Sequence, residues 1–372
     1  MNFDKCIKTT ELVLLSGAVP LIIGESGIGK TSLAKELSEE KNYYLVTIDG
    51  NLLKEGEIGG LPTVEDRTYE REGKNFKSRA TIYATHSKLV EIDEAISQGK
   101  EVLLFIDELN RCEHAVQQEL MNLILNREIN GYKLSEKVKI IAAMNPSNKY
   151  DNFEQSNYEV IDMDPAQEDR FIWIELDSDV KEWIRWAMTK GEVAEEVIEF
   201  ISTFPEHLHT PNSLETIKAT PRSWERISKG FKVYKNNKDK FSLDIFYNLV
   251  KGNVGSNIAQ DFIGFLKSLK NPIIKGKDLF KDEIISYDIR EKIRKESHSR
   301  LYITAKSALN YLEEEKEIKE NDINIFATLL RDYPKDLALS IMKEIKAEHS
   351  KRLYDFMLNN DEFIETFFEI YV

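Results

Sequence analysis

The chain has 372 residues, 41% apolar and 31% charged, with a formal net charge of −14. That length allows two or three domains and that apolar content allows real cores, while the acidic balance argues against a broad nucleic-acid-binding face, though not against a local basic channel. Two cysteines, Cys6 and Cys112, make no disulfide framework, so a reducing compartment and a cytoplasmic location are expected.

Near the start, the apolar run 12–24, "LVLLSGAVPLIIG", follows Lys5 and Lys8 as a secretory leader would. Asp4 and Glu11 spoil the basic flank, Pro20 interrupts the run, and cleavage would damage the glycine loop that follows, so the run is read as part of the fold. No other stretch approaches the roughly 20 apolar residues of a membrane helix.

Short apolar runs then alternate with helical patterns. Residues 20–24, 43–48, 101–107, 138–144 and 171–176 read as buried strands, with helices such as Thr31–Glu40 and Glu113–Leu125 between them. Strands alternating with helices predict an α/β fold with a five-stranded parallel sheet covered on both faces. Beyond residue 176 the strand signal fades. Amphipathic helical spacing continues to the end, with breaks near Asp332–Pro334 and Asn359–Asp361. The expected layout is an α/β core over 1–176, a small helical domain over 177–270 and a helical extension over 271–372.

Several motifs carry chemistry. "GESGIGKTS", Gly24 to Ser32, fits G-x-x-x-x-G-K-[ST] between a predicted strand and a predicted helix, the context a phosphate-binding loop requires. Glycines let the backbone turn its N–H groups toward phosphate, and the helix N-terminus adds positive potential. The predicted ATP-binding residues are Gly24, Glu25, Ser26, Gly27, Ile28, Gly29, Lys30, Thr31 and Ser32. Glu25 occupies a position that points away from the phosphates. Lys30 would reach the β- and γ-phosphates, and Thr31 with Asp107 would hold Mg²⁺. "VLLFIDELNR" places Asp107 and Glu108 at the end of a buried strand, costly unless they serve a cation; Glu108 is the candidate general base for water.

Asn130-Gly131 between "REI" and "YKL" predicts a type I′ hairpin over about 127–137. The next strand ends at Met144, so Asn145 stands at its carboxyl end, where open α/β sheets bind ligands. Asn148-Lys149-Tyr150-Asp151 spells the N-K-x-D of guanine readers, but Pro146 and Ser147 lead the chain away first. Asn110 also stands where the companion D-x-x-G would need glycine. "DPAQEDRF" predicts a capping box at Asp164, Pro165 and Gln167, with Arg170 ending the short helix; "ATPRSWERIS" predicts Thr220 as cap and Arg222 in a first helical turn. An arginine there opposes the helix dipole and is better explained by a nearby anion.

Together these residues resemble an AAA+ ATPase, and more narrowly its MoxR-like branch, over roughly residues 1–270. The resemblance implies that Gly24–Thr31 is Walker A, that Asp107 and Glu108 are Walker B, and that Asn145 is sensor 1. It further implies that Arg170 is an arginine finger acting on the neighbouring subunit's nucleotide, that Arg222 is sensor 2, and that Arg111 lies at the subunit interface. Residues 57–88 resemble the branch's helix-2 insert and the Asn130-Gly131 hairpin its pre-sensor-1 hairpin; "GESG" departs from the commoner "GPPG". A finger that acts in trans requires a head-to-tail ring, expected as a hexamer. Implied cofactors are ATP and Mg²⁺, and the implied partner is a protein client of the von Willebrand factor A type. Two other readings stand beside this one: a nucleic-acid motor related to GTP-using restriction motors, which the acidic charge disfavours, and a binding switch with negligible hydrolysis.

Weaker signals read as structural. Residues 66–88 carry six cations against three acids, more simply a solvated face than a binding one. His207 and His209 lack further metal ligands at suitable spacing. Phe363, Ile364, Phe367, Phe368 and Tyr371 form one helical stripe expected to dock on the chain's own helices.

Overall fold

A computed structural model of the chain describes residues 1–71, 73–149, 158, 160–269 and 273–371. The chain divides into two compact units, Met1–Asp179 and Val180–Val372.

In the first unit, α1 (Phe3–Leu15) precedes β1 (Val19–Ile23), α2 (Lys30–Glu40) and β2 (Tyr44–Asp49). Two long strands, β3 (Pro62–Arg71) and β4 (Lys74–Tyr83), then α3 (Ser87–Ser97), lead to β5 (Val102–Asp107) and α4 (His114–Met121). The short strands β6 (Glu128–Ile129) and β7 (Tyr132–Lys133) precede β8 (Lys139–Met144), α5 (Pro165–Glu168) and β9 (Phe171–Glu175). The five predicted buried strands form one sheet in the order β2-β5-β8-β1-β9, and every pair is parallel. Alternate side chains feed two cores. Leu104, Ile106, Ile140 and Ala142 face one of them, and Leu103, Phe105, Ile141 and Ala143 face the other, with α1 and α2. Burial on both faces explains why these strands read as unbroken apolar runs.

The insert is a β-hairpin: β3 and β4 pair antiparallel from Pro62↔Tyr83 to Arg71↔Lys74. Its described residues are almost all exposed, and Tyr69 stacks on Phe76 at 5.9 Å. Gly60 (φ +84°) anchors its root, where a Cβ would lie 1.9 Å from the Ala84 carbonyl oxygen. The second hairpin turns at Asn130 (φ 48°) and Gly131 (φ 86°), as a type I′ turn demands. Asn130 Nδ2 donates to Gly59 O at 2.9 Å, tying the tip of the second hairpin to the segment that leads into the first. α4 ends in a π-helical turn, Asn122–Asn126, so the predicted helix to Leu125 is α-helical only in its first half.

The second unit is helical among the described residues: α6 (Val180–Met188), α7 (Glu195–Thr203), α8 (Pro221–Asn236), α9 (Leu243–Val254) and α10 (Ser256–Ser268), then α11 (Gly276–Leu279), α12 (Tyr287–Ile293), α13 (His298–Glu314), α14 (Glu320–Arg331), α15 (Lys335–Glu348), α16 (Lys351–Leu358) and α17 (Asp361–Tyr371). An aromatic core around Phe200, Trp224 and Phe262 fills the first group. A largely aliphatic core around Leu309, Phe326 and Ile341 fills the second. Polar clamps join the groups. Arg300 on α13 pairs with Glu199 on α7 at 2.6 Å, and Glu344 on α15 pairs with Lys181 on α6 at 2.5 Å and Lys306 on α13 at 3.0 Å. Both predicted breaks fall between helices. The C-terminal stripe docks only in part: Phe363 is buried in the aliphatic core and Phe367 packs against it, whereas Phe368 and Tyr371 are exposed because α17 turns that edge to solvent. His207 stacks on Phe200 and stands 3.4 Å from Asp261, and no group of metal-ligating residues occurs among the described residues. No described helix is long and apolar enough to cross a membrane.

Candidate functional site

The site forms at the carboxyl ends of β1, β5 and β8, which the parallel register brings side by side. After β1 the chain turns at once. A Cβ on Gly24 would lie 2.8 Å from Leu176 O, while Gly27 (φ +80°) and Gly29 (φ +115°) take the left-handed conformations that favour glycine. The loop then runs directly into α2.

Lys30 is only 7% exposed, and its Nζ donates to Gly24 O at 2.6 Å, Glu25 O at 3.1 Å and Asn145 Oδ1 at 2.9 Å. Because an ammonium only donates, the Asn145 oxygen must face Lys30, which turns its Nδ2 toward Glu108 Oε2 at 3.0 Å. Asn145 therefore bridges Lys30 and Glu108. Thr31 Oγ1 donates to Asp107 Oδ2 at 2.8 Å, so the two predicted Mg²⁺ residues are already neighbours. The other oxygen of Asp107 accepts from Glu108 N at 3.0 Å. Glu108 sits at φ +55°, a costly conformation for a non-glycine residue, held by the contacts around it.

Three residues join the site without a role foreseen in the sequence. Asn110 is 2% exposed and grips Asn145 through both backbone groups: its Nδ2 donates to Asn145 O at 2.8 Å and its Oδ1 accepts from Asn145 N at 3.2 Å. Its partner lies 35 residues further on, so the sequence carried no signal for this clamp. Asp49 ends β2 opposite Asp107; burial pushes its carboxyl above the ordinary 3.8, and the charges of Asp107 and Glu108 push the same way. Tyr158 accepts from Ser26 N at 2.9 Å. Neither Asp49 nor Tyr158 carried a sequence signal. Arg111, expected from the resemblance at a subunit interface, pairs within this chain with Glu108 Oε2 at 2.9 Å.

The remaining predicted residues are placed as follows. Asp164 and Gln167 form the capping box of α5, and Arg170 follows it, exposed and without a side-chain partner among the described residues. Arg170 immediately precedes β9, and β9 runs parallel to β1 with Phe171 opposite Val19 and Glu175 opposite Ile23. It therefore lies at the amino end of the sheet, whereas Lys30 follows the carboxyl end. Arg222 lies in the first turn of α8 in the second unit, with Thr220 as cap, and is likewise exposed with no described side-chain partner. Cys112 is buried with Sγ against Leu109 O at 3.2 Å, and burial pushes its thiol up to about 11, a structural cysteine. Of the N-K-Y-D pattern, Tyr150 and Asp151 lie outside the described residues.

The sheet order, the glycine loop entering α2 and the acids ending β5 define a P-loop core of the AAA+ type. Residues 20–171 match the family model of the AAA domain, dynein-related subfamily. Among solved structures, the chain is similar to a point variant of Thermotoga maritima RuvB, with 18% identity and a TM-score of 0.35, covering 78% of this chain and 73% of that one. The Thermotoga maritima RuvB Holliday junction branch migration motor matches with 17% identity and a TM-score of 0.31, covering 79% and 74%. A Cytophaga hutchinsonii protein of proposed ATPase activity matches with 15% identity and a TM-score of 0.33, covering 72% and 90%. Comparison with curated proteins found no significant match.

Proposed function

We propose that the chain is a ring-forming ATPase of the MoxR-like branch that uses Mg·ATP to remodel a protein client. One observation carries the catalytic part. The bridge from Lys30 through Asn145 to Glu108, beside the Thr31–Asp107 pair, joins phosphate binding to a base in one continuous hydrogen-bonded line.

The donor set fits a magnesium nucleotide. Thr31 and Asp107 offer one hydroxyl and one carboxylate, the sparse protein ligation that Mg²⁺ takes when phosphates and water complete its shell. Bound there, the ion would neutralise charge developing on the phosphates. Lys30 holds the β- and γ-phosphates, and Asn145 orients either the terminal phosphate or the attacking water through its amide. Glu108 accepts the proton of that water, with Arg111 and Asn145 fixing which carboxylate oxygen is engaged.

Arg170 is assigned to the neighbouring subunit's site. Five residues of β9 at about 3.3 Å each separate it from its own loop by roughly 16 Å, beyond the reach of an arginine side chain. A head-to-tail contact that repeats this arrangement closes into a ring, proposed as a hexamer. The sensor 2 role of Arg222 rests on the resemblance alone. The client class, a von Willebrand factor A protein, rests on the resemblance alone. A Glu108→Gln variant tests the assignment: nucleotide binding should persist within about threefold, while phosphate release falls on the order of 100-fold or more. Unchanged turnover would remove Glu108 from the mechanism.

A further inference from the structure

Tyr158 is a polar contact to the loop that the mechanism above does not use. Its hydroxyl accepts from the backbone N–H of Ser26 at 2.9 Å, and the carboxylate of Glu25 stands close by. A tyrosine hydroxyl has one proton to give and lone pairs that accept, and the Ser26 amide fills one of those pairs. Burial, with the Glu25 carboxylate close by, pushes the hydroxyl up to about 12, which keeps it neutral. Glu25 itself stands in the loop where its backbone carbonyl also receives Lys30 at 3.1 Å.

Phosphate loops work by presenting a run of backbone N–H groups to an anion. Ser26 lies within that run, and Tyr158 engages its N–H. We infer that Tyr158 is an intramolecular competitor for the phosphate site: its hydroxyl engages the Ser26 amide that an incoming polyphosphate would otherwise take. The inference rests on reading Gly24–Ser32 as a phosphate loop.

Loss of the competing bond should tighten binding of any ligand bearing a β-phosphate. One hydrogen bond of ordinary net strength corresponds to about three- to tenfold in affinity. The test is calorimetric titration of the wild-type chain and the Tyr158→Phe variant with MgADP, MgATP and adenosine. Phenylalanine keeps the ring, and Tyr158→Leu serves as a second variant should the first fold poorly. Tighter binding of both nucleotides with no gain for adenosine supports the assignment, as does binding by the variant where the wild type binds nothing measurable. An unchanged or weakened dissociation constant, or an equal gain for adenosine, overturns it; wild-type binding in that case leaves the nucleotide reading intact. Absence of binding by either protein overturns both.

Discussion

The residue that organises the site is Asn145. Its side chain touches Lys30 and Glu108, and its backbone is gripped on both sides by Asn110. Removing Asn110 leaves a buried N–H and C=O of Asn145 without those partners, so Asn110→Ala is expected to cost about 2–4 kcal/mol. It should also lower turnover by letting the bridge drift; chemical denaturation and phosphate release read the two effects separately. Asp49 supplies a pH test. Its folded-state carboxyl is raised, so ionisation penalises the fold above that value and costs nothing below 3.8, where both states hold the proton. Asp49→Asn should therefore raise the melting temperature at neutral pH, and the gain should vanish as pH falls below 3.8. A gain that persists in acid would mean that packing, rather than charge, explains it. Position 145 could be singled out from the sequence because a polar residue at the end of a buried run is unusual. The Asn110 clamp could not, since 35 residues separate the partners and only the pairing of β5 with β8 brings them together.

At the level of elements, caps and turns were legible because their chemistry is local. The Asn130-Gly131 turn, the Asp164 capping box and the Thr220 cap all form as their residues dictate. Nothing lies within 4 Å of a Cβ at Gly131, so Gly131→Ala tests backbone strain alone. The expected loss is about 1–2 kcal/mol, read as a fall of a few degrees in melting temperature. The insert was legible as a charged stretch and, by resemblance, as an insertion, but not as a hairpin: with both faces in solvent, β3 and β4 carry no core-facing alternation. The C-terminal stripe misled for a related reason, since helical spacing identifies an apolar sector but not which of its edges finds a neighbour. In the same region, Ser350 N donates to Glu313 at 2.6 Å and His349 Nδ1 lies 2.7 Å from it. Burial alone would raise this carboxyl, but the bonds from His349 and Ser350 outweigh it and hold it below the ordinary 4.5. A depressed acid contributes stability that is present above its unfolded value and lost as pH falls through the folded one. The α13–α15 contact should therefore weaken below pH 4.5, and Glu313→Gln should flatten that acid limb of a stability–pH profile.

For the whole molecule, the order of the sheet strands was not legible, because each strand centres on an apolar run that carries no mark of its neighbours. That order places Lys30 and Arg170 at opposite ends of the β1–β9 pair, and the ring proposal grows from this separation. The acidic chain, at −14, presents a cation at Arg170 with no described partner of its own, which suits a contact completed by a second copy. The central claim is that hydrolysis needs the loop of one copy and the arginine of the next. It is tested most directly by mixing a Lys30→Ala chain with an Arg170→Ala chain and measuring phosphate release across mixing ratios. Each variant alone should lose turnover on the order of 1,000-fold, the scale of an arginine finger, and the mixture should recover part of it at sites pairing an intact loop with an intact arginine. No recovery at any ratio, with both chains folded and assembled together, would contradict the account.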